Sequence, residues 1–362
     1  MNSISNPFSA GMNNLPEMLK PGDNLRNTLN ITADKSLFSL WSCFIPSLRQ
    51  VDLNHSLWQE IGYASPLLPY SYMFNLTLSL GVFGFAEHST RHMSCEDIMY
   101  CRPAYSGDTL HCEIIILGIK EIEGSDEIEI RSLHLLKNQN QKTVFKLVRN
   151  TAFPNTIKYE TGDVDLESST IENTALLCNI ISNCKLLENK PYSTNKVDEQ
   201  EFYVHRMVRG MAHCENAFFN TLLKNMHPHN INPLSRKSGV HLPEGYVLAI
   251  ALGITNPEFM EFLCPEVEKA LQIREVQCDS PMGGFSFIMG KDPFDDETEE
   301  VFVRTFCTAD VNPEDLKNIE FPSELSITID SKEDFESMVD KIIPQLKDKI
   351  VLVVDWKFYR YI

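Results

Sequence analysis

The sequence predicts an α+β protein made of two halves with a similar layout. Two segments, Tyr70 to Gly84 and Leu242 to Ile254, are apolar over almost their whole length, and a helix without a polar face has to be buried nearly all round. Each segment is followed by runs rich in Ile, Val, Leu and Phe with turn residues between them, which predict strands. A helix followed by several strands, found twice, indicates an α+β architecture with two cores.

A constant spacing relates the two halves. His55 precedes Leu68-Pro69-Tyr70, and His229 precedes Leu242-Pro243-Glu244, with an offset of 174 residues for each pair. A fixed offset of this kind indicates an internal duplication. The sequence therefore predicts a first domain over 1–154, a polar connector over 155–200 and a second domain over 201–362, with a polar, peripheral insertion near 309–348.

Each half has its own set of predicted elements. The first half has the helix Tyr70 to Gly84 and strands at Cys112 to Lys120, Glu127 to Lys137 and Lys142 to Asn150. The connector holds one apolar patch, Ala175 to Leu187, that predicts a short helix. The second half has helices at Ala212 to Lys224, Leu242 to Ile254 and Lys332 to Leu346, and strands at Arg274 to Cys278, Phe285 to Met289, Glu300 to Cys307 and Ile350 to Tyr361.

Composition excludes several classes of protein. A length of 362 residues suits two ordinary domains. Fifty acidic against 32 basic residues give a formal net charge of −18, which repels nucleic acid and anionic membranes, so neither is an expected partner. The ten cysteines contain no Cys-x-x-Cys pair and the polar opening segment is not a signal peptide, so reduced thiols, no structural metal and a cytoplasmic location are expected. Met73 to Ala86 is too short to span a bilayer.

Two turns and one helix resemble a known family. Arg102-Pro-Ala-Tyr-Ser-Gly107-Asp108-Thr109-Leu110 is similar to the Gly-Asp-Thr-Leu turn of MaoC-like hot-dog proteins, and Pro281-Met-Gly-Gly284 is a shorter counterpart. The doubled layout and the Gly-Tyr-Val-Leu-Ala helix resemble double hot-dog MaoC-like acyl-CoA hydratases and dehydratases, especially the mesaconyl-CoA hydratase type. The similarity covers roughly 20–153 and 201–362.

The resemblance implies a fold and an assembly. In each hot-dog unit an antiparallel sheet wraps around a central hydrophobic helix. Two such units in one chain form a pseudo-dimer, so a monomer or a homodimer is expected.

The resemblance also implies a lyase, acting by hydration of an enoyl thioester or dehydration of a 3-hydroxyacyl thioester. Coenzyme A or an acyl carrier is part of this small-molecule substrate, and no separate cofactor or metal is needed. The reaction requires a base for water, a proton for the α carbon and stabilisation of enolate charge on the thioester oxygen. The family supplies these with an Asp-x-Asn-Pro-x-His loop and a backbone N–H at the start of the central helix.

This motif falls on Asn225-Met-His227-Pro228-His229-Asn230 and on Gly245. Asn225 replaces the family's Asp and Asn230 replaces its His. An amide can orient water but cannot take its proton, whereas a neutral imidazole titrates in the right range. The candidate base is therefore His229, followed by His227, with Asn225 as the water-positioning group and the Gly245 N–H for the thioester oxygen.

Other candidates and other functions stay open. The first half offers Asp52, His55 and Ser71 as a second-choice site, and Arg206 and Arg209 are candidates for the CoA phosphate. Because the family Asp and His are missing, the chain could bind an acyl thioester or a partner without turnover. A third possibility is an acyl-CoA thioesterase, which needs a carboxylate near the helix start such as that of Glu244.

Overall fold

The structure is a computed structural model that describes residues 15–26, 29–47, 49–164, 173–184, 201–205, 209, 213–235, 237–255, 266–329 and 331–361. The strands are β1 (Asn24–Arg26), β2 (Ile31–Thr32), β3 (Arg91–Tyr100), β4 (Thr109–Glu121), β5 (Glu127–Lys137), β6 (Thr143–Pro154), β7 (Gly162–Asp163), β8 (Phe202–Val204), β9 (Glu266–Gln272), β10 (Met282–Asp295), β11 (Thr298–Ala309) and β12 (Ile350–Tyr361). The helices are α1 (Ser36–Phe44), α2 (Gln50–Leu53), α3 (His55–Glu60), α4 (Tyr70–Leu80), α5 (Asn173–Cys184), α6 (His213–Leu223), α7 (Pro228–Ile231), α8 (Glu244–Gly253), α9 (Pro313–Leu316) and α10 (Lys332–Ile342). None of these helices is long and apolar enough to cross a membrane.

One antiparallel sheet runs through both halves in the order β1-β4-β5-β6-β3-β9-β12-β11-β10-β8. The four inner strands of the first half, β4-β5-β6-β3, are mirrored by β9-β12-β11-β10 in the second. The two halves meet where β3 pairs with β9. The predicted duplication is therefore visible in the strand order itself.

The junction of the two halves obeys the offset of 174 that relates their sequences. Cys95 pairs with Ala270 and Glu96 pairs with Lys269. Adding the offset to Cys95 gives Lys269, and adding it to Glu96 gives Ala270, so the two pairs exchange with each other. This exchange is the signature of an approximate twofold axis between β3 and β9, as in an isologous dimer interface.

The two apolar helices lie at the centre of the molecule. In α8 every residue from Gly245 to Gly253 is buried, and α4 is buried along nearly its whole length. The helices touch each other, since Asn75 of α4 donates from Nδ2 to the carbonyl of Gly245 (2.9 Å). Each central helix thus packs against the sheet on one side and against its partner helix on the opposite side, which explains why neither has a polar face.

The sequence did not predict the two strands that join the halves. The segment predicted as a strand at Arg274 to Cys278 is wrong, because it forms a loop with a single bridge from Gln277 to His241. The strand of this region is β9, which lies earlier, and its counterpart β3 was not predicted. Both contain charged residues and lack a clean alternation of apolar and polar side chains, and β3 is interrupted at Asp97 (φ 48°).

The insertion between β11 and β12 combines its polar residues with an apolar side. It contributes Leu316, Leu325, Phe335 and Val339 to a second hydrophobic core, which packs on the second half of the sheet. Arg304 of β11 ties the insertion to this face. Its guanidinium donates to Asp355 (2.6 and 2.8 Å) and to the carbonyls of Leu325 (2.9 Å) and Ile327 (2.6 Å).

We expect Arg304→Gln to lower the free energy of unfolding by about 3 kcal/mol, because it leaves a carboxylate and two carbonyls without their donor. Urea unfolding measures the change. Lys347→Gln is the matched control, because Lys347 forms an exposed pair with Asp340 in the same insertion and solvent screening leaves such pairs little net effect on stability. Equal losses in the two variants would contradict the assigned role of Arg304.

Candidate functional site

A cleft opens between the two halves at the start of α8. Five residues predicted from the sequence line it together: Asn225, His227, His229, Asn230 and Gly245. The first half contributes one face of α4 and the segment that leads into β3. The cleft therefore depends on both halves of the duplication.

The loop before α7 is held by its own polar groups. Asn225 Oδ1 accepts the His227 N–H (3.1 Å), and the Asn230 N–H donates to the His227 carbonyl (3.0 Å). The Asn230 carbonyl accepts from the side-chain amides of Asn216 (3.0 Å) and Asn220 (3.1 Å) on α6. The loop is thus a rigid turn anchored on a helix.

His227 is buried and both of its ring nitrogens are engaged. Nδ1 accepts the His229 N–H (3.3 Å), which caps α7. Nε2 lies 3.2 Å from Ser89 Oγ, whose hydroxyl donates to the Ala86 carbonyl (2.7 Å). The neutral tautomer with its proton on Nε2 satisfies all three bonds. His227 therefore positions the loop against the first half and is poorly placed to accept a further proton.

His229 is half-buried and lines the cleft, with its ring centroid 4.7 Å from that of His227. Its backbone carbonyl receives the His241 N–H (3.5 Å), so the loop is tied to the segment that begins α8. Of the two predicted imidazoles, His229 is the one that lies at the wall of the cleft without serving as a helix cap.

Gly245 occupies the second position of α8, where backbone N–H groups have no partner within the helix. Among the described residues no acceptor is recorded for its N–H, while its carbonyl accepts from Asn75. A Cβ at Gly245 would come within 2.4 Å of Asn75 Oδ1 and 2.9 Å of Leu78. Gly245 is therefore required for the close approach of the two central helices, and it lines the cleft at the helix start.

Sequence reasoning missed three groups at the cleft. His241 is buried with Nδ1 3.1 Å from Glu275 Oε2. Arg149 and His92 reach the cleft from the first half. The place of His241 could have been inferred, since it comes four residues before Gly245, whereas Arg149 and His92 meet the site only through the sheet.

The second-choice residues of the first half do not line this cleft. Asp52 is paired with Arg49 (2.7 Å), His55 is exposed and packs against Phe38, and Ser71 is buried and accepts from Trp41 Nε1 (2.9 Å).

Of the two arginines predicted for the CoA phosphate, only one belongs to the described residues, and it lies away from the cleft. Arg209 donates to Glu215 (3.2 Å) and does not line the cleft. Arg206 lies outside the described residues.

Known structures share this fold over nearly the whole chain. A protein from Chloroflexus aurantiacus J-10-fl described as a MaoC domain protein dehydratase matches with a TM-score of 0.73 and 13% identity, over 94% of this chain and 95% of that one. A conserved hypothetical protein from Mycobacterium tuberculosis with a double hotdog fold matches with a TM-score of 0.67 and 11% identity, over 97% of each chain. A MaoC-like dehydratase matches with a TM-score of 0.58 and 10% identity, over 93% and 97%.

No protein-family model and no curated protein matches the sequence. The predicted fold, two hot-dog units in tandem within one chain, is confirmed by the structural likeness. At 10 to 13% identity that likeness carries the fold alone.

Proposed function

We propose that this protein is a hydratase or dehydratase of the MaoC-like kind, which adds water to the double bond of an enoyl thioester or removes it from a 3-hydroxyacyl thioester. The observation that carries the proposal is the cleft that holds both the Gly245 N–H and the His229 ring. Long structural matches to proteins described as MaoC dehydratases support the proposal.

The thioester carbonyl is placed at the start of α8. The Gly245 N–H points outward from the first turn, where the helix dipole adds partial positive charge. Enolate charge on the thioester oxygen is stabilised by such a fixed donor in a site with little water. The close contact with Asn75, whose Nδ2 bonds both the Ser71 and Gly245 carbonyls, keeps this helix start in a fixed position.

His229 takes the proton from the attacking water and returns a proton in the reverse direction. The two asparagines at the family's Asp and His positions, Asn225 and Asn230, do not titrate. Asn225 uses Oδ1 to hold the loop, which leaves its amide NH₂ as the group that orients water. A single imidazole then performs the acid and base steps that the family divides between two side chains.

The likeness to the mesaconyl-CoA hydratase type, which rests on the doubled layout and the Gly245 helix, is part of this proposal. One observation favours a second function. Glu244 lines the cleft directly beside Gly245, so a carboxylate stands where a thioesterase would use one to activate water for attack on the carbonyl.

We expect the purified chain to hydrate trans-2-enoyl-CoAs, seen as loss of enoyl absorbance without release of free thiol. A panel of enoyl- and 3-hydroxyacyl-CoAs that includes crotonyl-CoA and mesaconyl-CoA, followed by absorbance and by a thiol reagent in parallel, measures both outcomes. Release of thiol at the rate of substrate loss would favour the thioesterase. Thioester binding without either reaction would favour a binding protein and overturn the proposed catalysis.

A further inference from the structure

Arg149 is a buried cation at the wall of the cleft. Its side chain on β6 is 4% exposed. Nε donates to His92 Nδ1 (3.1 Å), and Nη1 has no hydrogen-bond partner in the described part of the chain. A buried guanidinium whose donors are unmet costs several kcal/mol unless something compensates it.

Other arginines on the same sheet have carboxylate partners. Arg91 pairs with Glu127 (3.2 Å) and Arg131 with Glu96 (3.7 Å). For Arg149 no carboxylate lies within 4 Å among the described residues. Burial does not explain the difference, because Arg304 is equally buried and still pairs with Asp355 (2.6 Å).

The groups around Arg149 do not neutralise its charge. Burial, assisted by the Arg149 charge, lowers the pKa of His134 to about 3 and also lowers the pKa of His92 well below its usual value. Both imidazoles are therefore neutral at pH 7. His134 bonds Ser132 (3.0 Å), a neutral hydroxyl. His92, which accepts from Arg149, and its neighbour His134 thus supply no negative charge to the guanidinium.

Two carboxylates do line the cleft, but neither is the partner of Arg149. Glu275 contacts His241, and Glu244 stands at the start of α8. Gln272 Oε1, at the wall of the same cleft, is also buried without a hydrogen-bond partner. Arg149 of the first half and Gln272 of the second thus each place in the cleft wall a buried polar atom that has no hydrogen-bond partner among the described residues.

The position of Arg149 relative to Gly245 follows from α4. Asn75, Leu78, Ser79 and Val82 line the cleft at helical spacing. Asn75 and Leu78 contact Gly245, whereas His134 stands against Gly81 at the far end of α4. Because Ser132, the cross-strand neighbour of Arg149, bonds His134, Arg149 belongs to that far end. From Asn75 to Gly81 the helix rises about 9 Å, so a short chain is enough to join the two points.

We propose that Arg149 binds a carboxylate at the far end of a short acyl chain whose thioester lies at Gly245. This inference rests on the proposed function, because it takes the start of α8 as the thioester position. A carboxylate matches the planar fork of a guanidinium and provides the missing charge. The phosphates of coenzyme A lie on the other side of the thioester from the acyl group, so they do not compete for this position.

Equilibrium binding of two unreactive thioesters tests the site without any need for turnover. We expect succinyl-CoA to bind about 10- to 100-fold more tightly than butyryl-CoA, because the two differ by a carboxylate in place of a methyl group. In Arg149→Gln this preference should disappear while butyryl-CoA affinity stays the same. Arg131→Gln, which removes an exposed arginine outside the cleft, should keep the preference.

The outcomes separate this site from the proposed function. Equal binding of the two thioesters to the wild-type chain, or a preference that survives in Arg149→Gln, would overturn the carboxylate site even if crotonyl-CoA is hydrated. A preference that depends on Arg149 supports the site even if no thioester is turned over. If Arg149→Gln does not fold, Arg149→Lys takes its place. The methyl ester of succinyl-CoA is then also tested on the wild-type chain, and we expect it to bind without the preference over butyryl-CoA that succinyl-CoA shows. Displacement of succinyl-CoA by inorganic phosphate, but not by succinate, would assign the anion site to phosphate and overturn the proposal.

Discussion

Replacing His229 with alanine is expected to lower kcat/KM for enoyl-CoA hydration by about 10²- to 10⁴-fold, the usual contribution of a general base. The ring lies at the cleft wall, so its removal takes away the proposed base and not a helix cap. Steady-state kinetics with crotonyl-CoA, or with whichever thioester of the panel is turned over fastest, measures the change.

His55→Ala is the matched control for this variant. His55 holds the corresponding place in the first half, yet it is exposed and lies outside the cleft, so its loss should leave kcat/KM unchanged. Retention of most activity in His229→Ala would contradict the assignment. A drop of equal size in His55→Ala would instead place the active site in the first half.

His227→Ala should behave differently from His229→Ala. His227 accepts the His229 N–H and lies against Ser89, so its removal frees the loop from the first half. A structural role of this kind changes thermal stability along with activity, whereas loss of His229 should leave stability nearly unchanged.

The central helices and six of the twelve described strands were predictable because their signals are local. A run such as Val247 to Leu252 has no polar side and is stable only when it is buried all round, and strand β5 begins and ends where turn residues stand in the sequence. The strands β3 and β9 were not predictable in this way. Each is paired on one side with its own half and on the other side with the other half of the molecule, so partners on both sides hold it in the sheet without a strong strand pattern of its own.

The residues of the candidate site also fall into those that the sequence indicated and those that only the structure shows. Asn225 to Asn230 and Gly245 were found because a loop and a helix start leave short patterns in the sequence. Arg149 was not found, since a charged residue in a strand normally faces solvent, and only the sheet and α4 show that this one faces the interior. The Arg149 position therefore had to be read from tertiary structure.

The stability of the fold should depend strongly on pH through three buried histidines, His92, His134 and His205. Burial lowers the pKa of His134 and His205 to about 3 and that of His92 well below its usual value. An unfolded chain protonates histidine near pH 6.5, so below that pH the unfolded state binds protons that the native state does not. Stability is complete above pH 6.5 and falls as the pH is lowered, by about 2 kcal/mol each for His134 and His205 at pH 5.

Urea unfolding between pH 7 and pH 5 measures this loss, to which His134 and His205 together should contribute about 4 kcal/mol. His92 adds to the loss, because burial lowers its pKa as well. The range lies above the titration of ordinary carboxylates, so the histidines dominate it. Glutamine can bond the neighbouring hydroxyls, Ser132 and Ser286, but it does not titrate. His134→Gln and His205→Gln should therefore each reduce the pH-dependent loss by about 2 kcal/mol, although both lower stability at pH 7. His55→Ala, which removes an exposed histidine, should leave the pH dependence of stability intact. An unchanged pH dependence in both glutamine variants would refute this account, because His134 and His205 would then bind as many protons in the native state as in the unfolded state.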